Sequence, residues 1–482
     1  MSKSERNKII HSIIGVVIML GVGFLPIEIT GITQIGLRII GIFIGTLYLW
    51  STVEGMWPSL LAVACIGFSS YGTMGSILAA FLGSGTAIQL LFMMLFSGGL
   101  IYYGITKYIV RFSLTLKFVQ GKPWATTALL LGTCYFIAAF VGPFVSIFIF
   151  FSIMYNVYEQ VGFKKEDTYV KITLVLVTIL SMFGAGTMPY RAGIVSITSS
   201  YANLTGGEST INSGMYFLFT FSLGIILFIA LLLVSKYIIR PDMTPLKTLD
   251  IEELNKDKLP PMSLQQKIIS ISFVILLIMM LVPSIFTGIP IMVYLSNCST
   301  AYAMVVVAIL CAIRIDGKPV FDFQAVARKQ FSWETYMLSM VAILFGSVLT
   351  NDSVGLTTFL DSVLTPIFEQ ISPNAFIIAV IIVTAILTNI GNSLVMGLLL
   401  LPIIYTYSVN FGVEAVPIVM LLAFTVNATA AMTPAASAYS AILFGNGEWI
   451  KAKDIYKYSG IYVLTLLVVI IIIGIPLVNL FV

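Results

Sequence analysis

The residues able to do chemistry are few, and they lie inside apolar sequence. Arg191, in Thr187-Met-Pro-Tyr-Arg191-Ala-Gly193, is a permanent cation that follows a run of small residues, Phe183-Gly-Ala-Gly-Thr-Met-Pro189. A guanidinium held in the apolar part of a membrane faces a cavity or a partner, and its planar fork suits a carboxylate. A second group is Thr388-Asn389-Ile390-Gly391-Asn392-Ser393, a polar, glycine-containing tip between two apolar runs. Its amide and hydroxyl oxygens, with freed backbone carbonyls, suit a hard cation such as sodium, and its amide N–H groups suit an anion. The same side chains also serve as helix caps. A third group, Asn427, Thr429 and Thr433, lies in a small-residue break ending at Pro434. It forms a matching wall or satisfies backbone groups freed by the break. Catalytic patterns are missing: the sequence has no HExxH, no GxSxG and no phosphate-binding loop, and its one histidine, His11, starts the first apolar run. Cys65, Cys134, Cys298 and Cys311 lack CxxC spacing, so neither a zinc site nor a disulfide is indicated.

The elements that must position these groups are membrane helices. In 482 residues, 59% are hydrophobic and 10% charged, and mean hydropathy is +1.04, more apolar surface than a water-soluble core can hide. The net charge of +4 is too small to point to nucleic acid. Apolar segments fall at 9–26, 35–53, 56–71, 84–103, 168–200, 214–238, 267–286, 290–313, 334–351, 415–445 and 454–480, with hairpins at 123–156 and 373–408. In the second hairpin the runs Ala375 to Leu387 and Leu394 to Leu401 are each too short for a hydrocarbon core about 30 Å thick, which predicts a re-entrant hairpin. Lys122 to Tyr155 lies on Ser372 to Tyr405 without a gap, pairing Pro123 with Pro373, Val141-Gly142-Pro143 with Gly391-Asn392-Ser393, and Tyr155 with Tyr405. A small-residue break follows each hairpin, so the chain contains a repeat.

Charge placement orients that repeat. With Lys3, Arg6 and Lys8 in the cytoplasm, the inner loops collect lysine and arginine, whereas 201–213, 352–372 and 409–414 carry only acids among their charged residues. The first hairpin then enters from the cytoplasm and the second from outside, an inverted repeat of the kind used for alternating access. The chain divides into a first repeat, 1–239 (scaffold spans 1–120, hairpin and broken helix 121–239), a proline-rich cytoplasmic linker, 240–266, and a second repeat, 267–482 (scaffold spans 267–371, hairpin and broken helix 372–482). The fold expected is an all-α polytopic membrane protein with about eleven transmembrane helices and two re-entrant hairpins, its N-terminus cytoplasmic and its C-terminus outside, in a bacterial cytoplasmic membrane. Ile105 to Gln120 mixes apolar and basic residues as a helix lying in the interface does.

Four stretches resemble the divalent anion:sodium symporters, the INDY-type dicarboxylate and citrate carriers. They are Trp50-Ser-Thr-Val-Glu54-Gly-Met-Trp-Pro58, Gly184-Ala-Gly186-Thr187, Asn389-Ile-Gly-Asn392-Ser393-Leu394, and Met432-Thr-Pro434-Ala-Ala-Ser437-Ala-Tyr-Ser-Ala-Ile-Leu-Phe-Gly445-Asn-Gly447. The resemblance implies an elevator mechanism in a homodimer that carries di- or tricarboxylates with sodium, its sites lying between each hairpin tip and the neighbouring break. On that basis the substrate-binding residues are Arg191, Asn392, Ser393, Gly142, Pro143, Thr187, Pro434 and Ser437. The cation-binding residues are Asn389, Gly391, Asn392, Asn427, Thr429 and Thr433, with sodium as the possible ion and no other cofactor. The chain departs from the family where Val141-Gly142-Pro143 replaces its first Ser-Asn-Thr, and Arg191 is read as standing in for the first cation. The function expected is secondary transport of a small organic anion coupled to sodium or protons, or working by exchange. A carrier of a neutral or zwitterionic solute is the alternative, with an intramembrane enzyme or a channel behind it.

Overall fold

The computed structural model describes residues 3–114, 121–249, 260–286, 288–349, 351–356, 358–359, 362–363, 366, 370–391, 393–434 and 436–482. Asn392, one of the expected site residues, lies outside the described residues, as do 115–120 of the interfacial segment and 250–259 of the linker. The architecture is all-α. In chain order the helices are α1 Lys3–Gly21, α2 Gln34–Thr52, α3 Met56–Phe68, α4 Met74–Leu82, α5 Gly85–Tyr102, α6 Ile105–Leu114, α7 Pro123–Phe140, α8 Pro143–Val161, α9 Thr168–Thr187, α10 Ala192–Leu204 and α11 Ser213–Val234. After the linker come α12 Leu264–Ile285, α13 Pro290–Asn297, α14 Ser299–Ala312, α15 Phe323–Lys329, α16 Trp333–Leu349, α17 Pro373–Ile390, α18 Ser393–Phe411, α19 Ala415–Ala428, α20 Ala438–Gly445, α21 Ala452–Val469 and α22 Ile475–Val478. Among the described residues, ten helical stretches are long and apolar enough to cross a membrane, or up to twelve if two bent pairs are each one span.

Each hairpin is written in its prolines and glycines. Pro123 opens α7 and Pro143 opens α8, where a proline costs nothing because the first N–H groups of a helix have no partner inside it. Between them the Val141 and Gly142 N–H groups both donate to the Ile137 carbonyl, each at 2.9 Å, closing α7 so that the extended Gly142 can turn the chain. The second hairpin repeats the scheme with Ser372 capping α17, Pro373 at its start and an extended Gly391 at its end. Phe376 and Tyr407, stacked with centroids 3.6 Å apart, join its two arms.

The arms are longer than the apolar runs imply. Helix α17 has 18 residues because Thr388, Asn389 and Ile390 stay helical, and α18 has 19 because the helix continues through Pro402. At 1.5 Å per residue each arm reaches roughly 27 Å, longer than its apolar run alone, so the helix extends past the segment that hydropathy marks. The polar Thr388 and Asn389 end the hydropathy signal without ending the helix. Two bends also escape sequence reading: α13 meets α14 at 68° and α15 meets α16 at 83°. A two-residue hairpin of Arg314–Ile315 and Lys318–Pro319 lies between α14 and α15, with Asp316 and Gly317 both at positive φ in its turn.

The core forms around α9. From Tyr169 to Thr187 all of its residues except Lys171 are buried, and it packs against α7, α8, α11, α19 and α21. A helix apolar on every side belongs in the middle of a bundle. Gly184 lets α9 approach the first hairpin closely: a Cβ there would collide with the Ala138 side chain and the Ala138–Ala139 backbone. Near the start of α9, Lys171 Nζ lies 3.3 Å from the Asp454 carboxylate on α21, tying the first half of the chain to the second.

Candidate functional site

The first hairpin tip and the first break meet at Arg191. Helix α9 ends at Thr187, and after Met188 to Tyr190 the chain resumes as α10 with Arg191 at its N-cap position. Arg191 Nη2 donates to the carbonyl oxygens of Ala138, at 3.1 Å, and Ala139, at 2.7 Å. These belong to the last turn of α7, where carbonyls have no partner within the helix and the helix dipole is negative. The guanidinium therefore caps the hairpin arm with a positive charge. Its Nε is buried and has no acceptor among the described residues. The ion pairs among those residues are Lys165–Glu448 and Lys171–Asp454, so none involves Arg191.

Other carbonyls at the first break are also taken. Tyr216 on α11 donates to the Gly186 carbonyl at 2.7 Å, and Thr220 to the Thr187 carbonyl at 2.8 Å. The Thr187 hydroxyl donates back to Phe183 at 2.8 Å and lies 3.0 Å from the Tyr135 hydroxyl. Gly142 and Pro143, at the tip itself, are buried. Phe144, the next residue, packs on Tyr439 of α20 with centroids 4.6 Å apart, and Tyr439 is near enough to Arg191 to feel its charge.

The second tip is organised by Asn389. Its Nδ2 donates to the carbonyls of Ala385, at 2.7 Å, and Thr429, at 2.8 Å. Its Oδ1 accepts from the Met432 N–H at 2.8 Å, and its own carbonyl accepts from the Thr433 hydroxyl at 2.7 Å. The Thr429 hydroxyl donates to Thr425 at 2.8 Å, one turn back. The Ser393 N–H donates to Ala436 at 3.0 Å, and Ser437 caps α20 while its hydroxyl lies 3.2 Å from the Ala430 carbonyl. Pro434 is exposed in the turn between them.

The expected residues thus fall into two clusters. Arg191, Thr187, Gly142 and Pro143 surround the first tip; Asn389, Gly391, Ser393, Thr429, Thr433, Pro434 and Ser437 surround the second. The breaks themselves touch: a Cβ on Gly186 would lie 3.3 Å from the Cβ of Asn427, whose amide donates to Ala423 at 3.1 Å. Beside the first break lies a cavity of about 380 Å³ lined by Tyr190, by Thr198 and Ser199 of α10, by Thr86 and Gln89 of α5, and by Asn297 and Thr300 near the α13–α14 bend. None of its described lining residues is charged. Sequence reading missed Tyr190, whose buried hydroxyl has no partner among the described residues, and missed Tyr216 and Thr220. Tyr190 is signalled only by adjacency to Arg191, and the other two come from a helix that nothing in their own spacing distinguishes.

The comparisons with known proteins bear on the fold and the family. A search of curated proteins finds no matching sequence. Among solved structures, the Alcanivorax borkumensis YdaH transporter, described as having an unusual topology, superposes with a TM-score of 0.53 at 11% identity, covering 84% of this chain and 87% of that one, a likeness of fold. The family profile described as the sodium:sulfate symporter transmembrane region matches residues 6–480. With that match running through nearly every span, both hairpins and both breaks, the chain belongs to the sodium:sulfate symporter family of membrane anion transporters.

Proposed function

We propose that the protein is a secondary carrier of a small organic anion bearing at least one carboxylate, with a di- or tricarboxylate as the preferred class. The observation that carries this reading is the Arg191 guanidinium, fastened through Nη2 to the end of α7 while its buried Nε lacks an acceptor among the described residues. A carboxylate arriving from solution supplies that acceptor in a charge-assisted bond, and the fixed positive charge replaces one that a cation would bring. Ser393, Ser437, Thr187, the tip residues Gly142 and Pro143, and Pro434 form the surrounding wall. Sulfate, which the family's description names, is an oxyanion that the same guanidinium accepts, and it belongs in any panel of test solutes.

The movement proposed is an elevator. The hairpins and broken helices, 121–239 and 372–482, travel as one body against a scaffold of 1–120 and 267–371, in a homodimer oriented with the N-terminus in the cytoplasm. The support for this is the packing of α7, α8, α10, α19 and α20 onto the enclosed α9, and the basic bias of the loops assigned inside.

The test is counterflow into proteoliposomes preloaded with succinate, citrate or sulfate, comparing the native protein with Arg191→Gln. The expected result is exchange of a carboxylate by the native protein and loss of at least about ten-fold in apparent affinity on neutralising the guanidinium. Unchanged affinity in Arg191→Gln, or uptake only of uncharged solutes, refutes the reading and favours the neutral-solute carrier.

A further inference from the structure

Sodium is the ion that the family's description names, and broken-helix carriers hold such ions with the carbonyls at half-helix C-termini and unwound breaks. In this chain those carbonyls converge on nitrogen. At the first tip Ala138 and Ala139 both accept from one atom, Arg191 Nη2, at 3.1 and 2.7 Å. At the second tip Ala385 and Thr429 both accept from one atom, Asn389 Nδ2, at 2.7 and 2.8 Å. The arrangement is related in the two halves: at the first tip one side-chain nitrogen bridges two carbonyls at the end of a hairpin arm, and at the second one side-chain nitrogen bridges a carbonyl one turn back in its own helix and the Thr429 carbonyl at the break.

The carbonyls nearby are engaged too, Gly186 and Thr187 by the α11 hydroxyls, and Asn389 by Thr433. A cation at either point would have to displace the donor. At the first it would also sit beside a guanidinium, and like charges at about 4 Å repel by several kcal/mol at protein-like dielectric. The described residues at these two points therefore do not fit a sodium ion. We infer that Arg191 and Asn389 occupy the places of the two coupling cations, so that this carrier neither binds nor requires sodium, and Asn389 is the residue that sets ion independence in the second half.

This inference uses the carrier reading only to place the two tips at the site, and its test needs no transported solute, so the two can fail separately. The measurement is the melting midpoint of the purified protein in detergent in sodium chloride against choline chloride, each at about 100 mM, since a ligand that binds the folded state stabilises it by mass action. The native protein is expected to melt at the same temperature in both salts. Asn389→Asp keeps the acceptor for the Met432 N–H, removes both donors and adds a negative charge. It is expected to acquire a sodium-specific rise of a degree or more, and Arg191→Ser, which opens the first cluster, is expected to do the same. A sodium-specific rise in the native protein overturns the inference, as does its absence from both variants.

Discussion

Replacing Gly184 by alanine perturbs the first tip without altering any group proposed to touch the solute. The added Cβ would fall inside any allowed distance from the Ala138 side chain and from the Ala138–Ala139 backbone. Ordinary contact lies at 3.4–4 Å, so α9 and the end of α7 must separate by about 1 Å in a core that packs as densely as a crystal. Overpacking of this kind costs about 1–3 kcal/mol. The same displacement carries the two carbonyls away from Arg191, stretching bonds of 3.1 and 2.7 Å toward about 4 Å, beyond hydrogen-bonding range. Each bond from a charged donor contributes about 1.5–3 kcal/mol, so the loss is large against a typical total of about 5–15 kcal/mol. The expected outcome is a melting midpoint several degrees lower, together with a KM for the transported anion raised by about ten-fold as the guanidinium leaves its place. Both are read on one preparation, by thermal unfolding in detergent and by counterflow. A variant with native midpoint and native KM refutes the claim that Gly184 holds the carbonyls against Arg191.

Three further predictions concern stability alone. Asp454→Asn leaves Lys171 without its partner in surroundings where the side chains are 19% and 14% exposed, and is expected to cost about 1–3 kcal/mol. Glu448→Gln breaks a pair whose side chains are 45% and 75% exposed and is expected to change stability by less than about 1 kcal/mol; denaturation of the two variants in parallel decides whether burial ranks them. Tyr216→Phe removes the donor to the Gly186 carbonyl in the interior and is expected to cost about 1–2 kcal/mol by the same assay.

Much of the architecture was legible because prolines and glycines punctuate it. Pro123, Pro143 and Pro373 mark where three hairpin arms begin, and each opens a helix as its chemistry requires. The likeness of the two hairpins was visible for the same reason, as matched punctuation separated by apolar sequence. Hydropathy misled where a polar residue stays helical: Thr388 and Asn389 read as a tip, yet they form the last turn of α17 with their polar atoms bonded to the opposite break. That the Arg191 guanidinium is held inside the bundle was legible from its isolation among apolar residues. Its partners were not, because two backbone carbonyls more than fifty residues earlier carry no sequence signature. Asn389 was legible as a polar group at the site, but its role depends on which way its amide faces, and only the positions of Ala385, Thr429 and Met432 reveal that.

The enclosure of α9 has a consequence for how the chain is made. Its lysine enters the forming bundle early, while the aspartate that neutralises it sits on α21, which is made much later. Until that helix arrives, an unpaired ammonium and a helix meant for neighbours on every side must wait at the membrane. Assembly of the bundle is therefore tied to the synthesis of α21, and a product cut short before Asp454 would be left with an open seam for quality-control proteases to recognise.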